Sequence, residues 1–366
     1  MADILISGYH GFANSGDEAL LFAILSTLRK NKPDINVTVL SKTPEDTARE
    51  YGVNSISRYN VFKIIKEMKK TKMLLFGGGS LLQDVTSSKS LLYYLAILFL
   101  AQRCKLKTML YANGIGPITK KRNKWLASSV LNRTDVITLR DDRSDEELKS
   151  LGVTKPNIVI TADPAFTINT DISLSGKFFT NRAGVPDDAQ VFAVSLRSWK
   201  NFSPGFEGDI ASLCDYLTDK YNIYPLFVPM QYPEDMGISE RIMSLMKNKS
   251  YIINRELSVA EMFSVLSEAK FIIGMRLHSL IYATTLEIPA MALVYDPKIS
   301  AFMESLNQPL YLDVENFDRE KAKAVAETLI LENEQRKQTL HKTNAVLKEK
   351  AEENGNYAMD LLNSDK

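Results

Sequence analysis

Short runs of β-branched and aliphatic residues alternate along the chain with longer segments in which apolar residues recur at helical spacing. In the first half, residues 3–7, 36–40, 53–57, 72–76, 107–112, 136–139 and 158–161 predict seven strands. Helices are predicted between them over 17–30, 61–70, 90–102, 123–132 and 142–151. A connector rich in Gly, Ser and Asp follows at 169–189, and the alternation restarts with strands at 191–196, 223–228, 251–254, 271–273, 290–294 and 309–312. From Asp318 the pattern is helical and highly charged. Strand–helix alternation implies parallel sheets covered on both faces by helices. The expected architecture is therefore α/β, with two doubly wound Rossmann-like domains facing each other across a cleft. Their expected limits are 1–170 and 185–330, followed by a helical tail over 331–366.

A chain of 366 residues, 45% hydrophobic and 24% charged, suits two such domains and excludes disorder, collagen-like repeats or coiled coil as descriptions of the whole. Only Cys104 and Cys214 are present, far apart, which argues against a disulfide scaffold or a Cys-based zinc site and fits a cytoplasmic location. The first residues carry no basic n-region and no long apolar stretch, so no secretory signal is expected. The longest apolar run, 91–101, is eleven residues, short of the roughly 20 that span a bilayer.

Charge changes this picture once the chain is divided. Residues 1–168 hold 24 Lys/Arg against 16 Asp/Glu, whereas the remainder holds 21 against 28. Between Asp84 and Asp135 no acidic residue occurs, while nine basic ones do, among them Lys120, Lys121, Arg122 and Lys124. Such a field attracts anions, and nucleic acid, an anionic membrane surface or a phosphorylated substrate would each satisfy it.

In open parallel sheets, ligands bind beyond the carboxyl ends of the strands, so the residues just after each predicted strand are the candidates. After the first strand the glycines are spaced G-x2-G-x4-G, at Gly8, Gly11 and Gly16. This is neither a dinucleotide fingerprint nor a P-loop, but a strand, a glycine-bearing turn and a helix start form an anion seat. Asn14, Ser15, Gly16 and Asp17 are its polar members, with Asp17 serving equally well as a plain helix cap. A second turn brings Gly78, Gly79, Ser80 and Gln83, where glycines let backbone approach a ligand closely. Arg276 and His278 follow the strand at 271–273 and open a helix, where a histidine and an arginine are comfortable only beside a polyanion. Lys298, Arg140 and Arg197 also end strands, so four cations are expected to converge. His10 and His341 read as structural. No H-E-x-x-H, C-x-x-C, Asp-x-Asp or G-x-S-x-G pattern occurs, so neither a metal-dependent nor a serine-hydrolase mechanism is expected.

Six stretches, in order, resemble the polysaccharide pyruvyl transferases, and within them the CsaB type. They are Gly11-Phe-Ala-Asn-Ser-Gly-Asp-Glu-Ala19, Gly77-Gly-Gly-Ser-Leu-Leu-Gln-Asp84, Gly114-Ile-Gly-Pro117, Leu139-Arg-Asp-Asp-Arg-Ser144, Ala162-Asp-Pro164 and Gly274-Met-Arg-Leu-His278. The resemblance implies a glycosyltransferase-B-like fold and phosphoenolpyruvate as donor. The implied acceptor is N-acetylmannosamine in ManNAc-β-1,4-GlcNAc-diphosphoundecaprenol, and the product a 4,6-linked pyruvate ketal used to anchor S-layer proteins. In that setting His278 is the expected proton donor, and Arg276, Arg140 and Lys298, with Arg197, the expected holders of carboxylate and phosphate. The acceptor is expected against Asn14–Asp17 and the second turn. No cofactor, metal or nucleic acid enters this reading. A peripheral contact of the 91–101 region with the inner leaflet is one expectation; burial of that run as a core helix is the other. The competing reading is a nucleotide-sugar-dependent glycosyltransferase or epimerase of the same fold, with Glu261 or Asp296 gripping the ribose.

Overall fold

A computed structural model describes residues 2–85, 87–170 and 174–364, so residues 171–173 of the predicted connector lie outside the described residues. The chain divides into two compact units, Met1–Ile168 with Val346–Lys366, and Asn169–Ala345.

The first unit contains β1 (Ile4–His10), α1 (Ser15–Asn31), β2 (Val37–Ser41), α2 (Pro44–Tyr51), β3 (Asn54–Ser57) and α3 (Val61–Met68). It continues with β4 (Met73–Gly77), α4 (Ser88–Arg103), β5 (Lys107–Asn113), α5 (Lys121–Leu131), β6 (Val136–Leu139), α6 (Asp142–Ser150) and β7 (Asn157–Ile160). All seven strands are parallel, in the order β3-β2-β1-β4-β5-β6-β7. Central strands such as β4 and β5 are buried along their whole length, which is why they read as continuous apolar runs with no alternation. On one face, α3, α4 and α5 pack Ile64, Met68, Leu91, Leu98 and Val130 against Leu74, Phe76 and Leu110. On the other, Leu21, Ile24 and Leu28 of α1 meet Ile6, Val39, Leu75 and Met109, together with Ala358 and Leu362 from the C-terminal segment.

In the second unit come α7 (Gly176–Arg182), β8 (Gln190–Ser195), α8 (Phe206–Tyr221), β9 (Ile223–Phe227), α9 (Met236–Leu245), β10 (Tyr251–Ile252) and α10 (Val259–Ser267). These are followed by β11 (Ala269–Gly274), α11 (Leu277–Thr285), β12 (Ala290–Val294), α12 (Pro297–Ser305), β13 (Tyr311–Asp313), α13 (Arg319–Leu331) and α14 (Asn333–Asn363). The six strands are again parallel, in the order β10-β9-β8-β11-β12-β13.

Two local expectations shift, and a third region, 91–101, follows one of its two expected courses. The first helix starts at Ser15 and not at Asp17, because Asn14 is the cap: its side-chain oxygen accepts from the Gly16 N–H at 3.1 Å. The expected connector contains α7, which has no long apolar stripe and is seated by close approach. A Cβ at Gly176 would lie 2.0 Å from the Ser264 carbonyl of α10. The run 91–101 belongs to α4 and lies largely in the core, with Leu91, Tyr94, Leu95, Ile97, Leu98 and Ala101 buried. Helix α14 begins in the second unit and its residues from Val346 group with the first.

Candidate active site

Both sheets have the Rossmann order, so each has a switch point where successive crossovers leave in opposite directions and open a crevice at the carboxyl edge. In the first unit the switch lies between β1 and β4. The 11–14 loop and the 78–80 turn emerge there, and the turn packs against the start of α1: a Cβ added to Gly79 would come 3.3 Å from the Asp17 carboxylate. Gly78 and Gly79 have φ of 51° and 78°, the left-handed region that costs glycine nothing. A Cβ at Gly78 would also approach Leu20 to 2.8 Å. The Asn113 amide donates to the Gly78 carbonyl at 2.9 Å, and the Gly114 N–H to that of Gly79 at 3.0 Å, strapping the turn to the end of β5. Gln83 folds back to donate to the Ser80 carbonyl, so its amide closes the turn from within.

Arg140, at the end of β6, donates through Nη1 to Asp163 at 2.9 Å and through Nη2 to the Ser80 hydroxyl at 2.7 Å. Arginine and aspartate are both buried. The expected anion-binding cation thus carries its own carboxylate and fixes Ser80. The first loop is held as firmly. Glu18 accepts from the Gly11 N–H and from the Tyr51 hydroxyl, both at 2.9 Å. Arg58, only 6% exposed, donates to the Gly8 carbonyl at 3.0 Å and to Tyr94 Oη at 3.2 Å, with Phe12 and Tyr93 against its guanidinium. Asp84 sits where burial alone would raise its pKa. Its bonds from the Thr119 N–H, the Asn123 amide, the Lys120 N–H and the Thr119 hydroxyl instead hold the carboxyl at about 2. It anchors the start of α5.

In the second unit the switch lies between β8 and β11. Ser195 and Gly274 are partners across these strands, which sets Arg197 and Arg276 two residues beyond on adjacent strands. Arg276 caps α11 and His278 stands in its first turn, half-buried, with its ring 6.2 Å from that of Tyr282. A Cβ at Gly274 would lie 2.6 Å from Ser279 Oγ, so only glycine lets the strand enter this helix so tightly. Arg276 is not a free cation. Its Nε and Nη2 form a fork on Asp235 at 2.7 and 2.6 Å, and Nη2 also donates to Gln231 at 3.1 Å. Asp235 is buried and its Oδ2 also accepts from the Gln231 N–H at 2.9 Å. Nη1 of Arg276 has no protein partner among the described residues, which leaves its outer edge for a ligand. Lys298 lies 3.4 Å from Asp296, half exposed. Arg197 alone of these has no carboxylate among the described residues: it donates to Tyr295 Oη at 3.2 Å and lies 5.1 Å from the Tyr295 ring centre.

The expected residues therefore fall into two groups at two switch points: Asn14, Ser15, Gly16, Asp17, Gly78, Gly79, Ser80, Gln83 and Arg140 in the first unit, Arg197, Arg276, His278 and Lys298 in the second. Glu18 and Asp163 stand in the stretches that resemble the family and Asn113 ends a predicted strand, but their supporting roles, and Arg58 and Asp235 altogether, emerge only from the structure. Asp235 lies four residues beyond the strand-end Gln231, at the start of α9, and that carboxylate is the signal the sequence offers. Of the other histidines, His10 is 1% exposed, and burial, with the Arg58 charge adding to it, lowers its pKa to about 3. It is neutral at ordinary pH and no proton donor. His341 is exposed and 2.8 Å from Glu287. Glu261 completes the cap of α10 and pairs with Arg255, and Asp296 caps α12, so both carboxylates of the nucleotide reading already have structural partners. Among the described residues no group of three or more His, Cys, Asp or Glu side chains is placed to hold a metal ion.

Two parallel-sheet Rossmann-like units with polar loops at each switch point define a protein of glycosyltransferase-B-like fold. Solved structures agree: S. aureus MnaA with UDP (TM-score 0.67, 14% identity, 100% of this chain and 99% of that one) and the UDP-GlcNAc 2-epimerase of Neisseria meningitidis bound to UDP-GlcNAc (0.68, 12%, 99% of each). At such identity the likeness concerns the fold alone. Residues 14–297 match the family described as Polysaccharide pyruvyl transferase, and the chain belongs to that family. It is also 20% identical over 362 residues to the amylovoran biosynthesis protein AmsJ of Erwinia amylovora, covering 84% of this chain and 86% of that one. Arg276 and His278 lie inside the matched residues; Lys298 lies just beyond them.

Proposed function

We propose that the protein transfers pyruvate from phosphoenolpyruvate, as a 4,6-ketal, to N-acetylmannosamine of ManNAc-β-1,4-GlcNAc-diphosphoundecaprenol, releasing phosphate, for a secondary cell-wall polymer that anchors S-layer proteins. The observation that carries this reading is the edge of the second unit, where Arg197, Arg276 and His278, and Lys298 follow the neighbouring strands β8, β11 and β12 in turn, and Arg276 keeps an edge that Asp235 and Gln231 do not use. Phosphoenolpyruvate brings a carboxylate and a phosphate. Planar guanidinium groups suit both, with Arg197 supplying a charge that no carboxylate among the described residues offsets and Arg276 a fixed donor edge. Asp235 acts as the positioning residue, since its fork locks the Arg276 plane.

The chemistry begins with proton transfer from the His278 imidazolium to the methylene carbon, which becomes the methyl group and leaves an oxocarbenium-like centre at C2. One sugar hydroxyl forms a bond to C2 and gives up its proton. The neighbouring hydroxyl then bonds to C2 as the C2–O bond to phosphate breaks, with its proton leaving to solvent or phosphate. The loops of the first unit, with Asn14–Asp17 and the 78–80 turn, are the proposed holders of the acceptor sugar. Arg140 keeps Ser80 in place there.

The competing reading, a nucleotide-sugar glycosyltransferase or epimerase, draws on the UDP ligands of the similar folds. Melting temperature separates the two: phosphoenolpyruvate alone is expected to raise it, and a rise with UDP alone supports the competitor. For the chemistry, His278→Ala should keep the phosphoenolpyruvate shift and lose turnover ~10²–10⁴-fold, followed by mass spectrometry of a ManNAc-GlcNAc-diphospholipid analogue. Wild-type turnover in this variant would remove His278 from the mechanism.

A further inference from the structure

In a parallel sheet the helix that follows each strand begins at the carboxyl edge, so α3, α4 and α5 all start on the edge that carries the 11–14 loop and the 78–80 turn. The three helices cover the same face of the sheet. They are also joined side by side at that end. Lys120 and Asn123 reach the Ser88 hydroxyl at the start of α4, and Tyr93 of α4 donates to the Arg58 carbonyl just before α3. At the far end Gln102 of α4 donates to the Val130 carbonyl of α5, so α4 and α5 run parallel and present their outer surfaces together.

Those outer surfaces are apolar in an unusual place. Phe62 is 88% exposed, Trp125 69%, Val85 63% and Leu92 37%, each near the start of one of these helices. Phe99 continues the stripe about two helical turns beyond Leu92, also exposed. Around Trp125 stand Lys120, Lys121, Arg122 and Lys124, all exposed. The Asp84 carboxylate nearby is buried and spent on the start of α5. The basic surface ends at α6, which shows Asp142 and Glu146 to solvent.

We propose that this surface, the starts of α3, α4 and α5, docks the first unit on an anionic bilayer. Phe62, Leu92 and Trp125 would enter the headgroup region, and the 120–124 cations would pair with lipid phosphates. Exposed aromatic and aliphatic side chains ringed by lysine and arginine have the chemistry of an interfacial contact, and no described helix is long and apolar enough to cross a membrane. The stripe is drawn from three separate segments, so the apolar run 91–101 is only its central part. The biological purpose rests on the lipid-linked acceptor proposed above, because the docking edge is the edge of the acceptor loops; the surface itself is defined by its own side chains.

The test uses the full chain with sucrose-loaded vesicles of phosphatidylcholine alone or with phosphatidylglycerol. The protein is expected to bind the anionic vesicles, to leave them in high salt, and to show a blue-shifted tryptophan emission that Trp125→Phe abolishes. Lys120→Glu with Lys121→Glu and Lys124→Glu should lower partitioning by at least about a hundredfold, and Phe62→Ser with Trp125→Ser should also release the protein. Because these residues are exposed, an unchanged melting temperature verifies the fold. Binding that ignores all these substitutions, no binding to anionic vesicles, or self-association through this face in their place would overturn the proposal. The same variants should keep the phosphoenolpyruvate shift and turnover of a lipid-free acceptor. Wild-type protein that binds vesicles yet shows no phosphoenolpyruvate shift would reject the transferase reading and leave the docking surface standing.

Discussion

His10 shows how one residue can be costly and still fixed by its surroundings. Its ring occupies the place of a Gly8 side chain: a Cβ there would lie 2.3 Å from Nε2. Burial lowers the imidazole pKa to about 3, with the nearby Arg58 charge adding to the effect. The unfolded chain takes up a proton near pH 6.5 that the folded chain refuses, so stability falls as pH drops from about 6.5 toward 3, at up to roughly 1.4 kcal/mol per pH unit. Urea midpoints at pH 7, 6 and 5 should therefore decline more steeply for the wild type than for His10→Gln. Parallel curves would contradict a neutral His10. Arg58 belongs to the same scale. It is a buried cation whose partners are a carbonyl and aromatic rings, and nothing in the sequence around it marks it as the prop of a loop fifty residues earlier.

At the scale of elements, the second unit brings its candidate residues together by strand order. β8, β11 and β12 are neighbours, so Arg197, Arg276 and Tyr295 end up side by side although 98 residues separate the first from the last. The Arg276–Asp235 fork ties the start of α11 to the start of α9. Both side chains are largely buried, and removing one leaves the other charge uncompensated. Asp235→Ala is expected to cost about 3–5 kcal/mol, and the double variant with Arg276→Met distinctly less than the two single losses combined. Chemical denaturation of the four proteins measures this; additive losses would mean the fork contributes little. Arg276 was legible because it ends a strand and opens a helix. Its partner was not, because an arginine's choice of carboxylate depends on which helix packs beside it.

For the whole molecule, the C-terminal helix has most to say. α14 starts in the second unit, where Asn344 donates to the Thr285 carbonyl, and its last turns complete the core of the first. Asn354, fully buried, accepts from the Thr138 and Thr161 hydroxyls at 2.5 and 2.8 Å and donates to the Ala162 carbonyl at 3.1 Å. These bonds reach the ends of β6 and β7, close to Arg140 and Asp163. Asn354→Leu should lower stability by about 1–3 kcal/mol through the partners left unsatisfied. A calorimetric scan is expected to show the loss in the transition of the first unit, whereas an unchanged scan would make the network dispensable. The charged pattern of this tail predicted a helix but carried no sign of a buried amide.

Periodicity and turn chemistry act over a few residues, so the chain by itself determined the order of strands and helices, the two sheets, the glycine turns and the strand ends where polar groups cluster. Six short stretches likewise sufficed for the family. Burial and pairing are decided by segments far apart in sequence, and only the tertiary structure could apportion them. It gave Arg140 to Asp163 and Arg276 to Asp235, and left Arg197 with Tyr295 and no carboxylate among the described residues. It also hid most of an apolar run while exposing Phe62 and Trp125. The reason is that an ion pair or an apolar contact is a relation between surfaces, and packing alone chooses which surfaces meet.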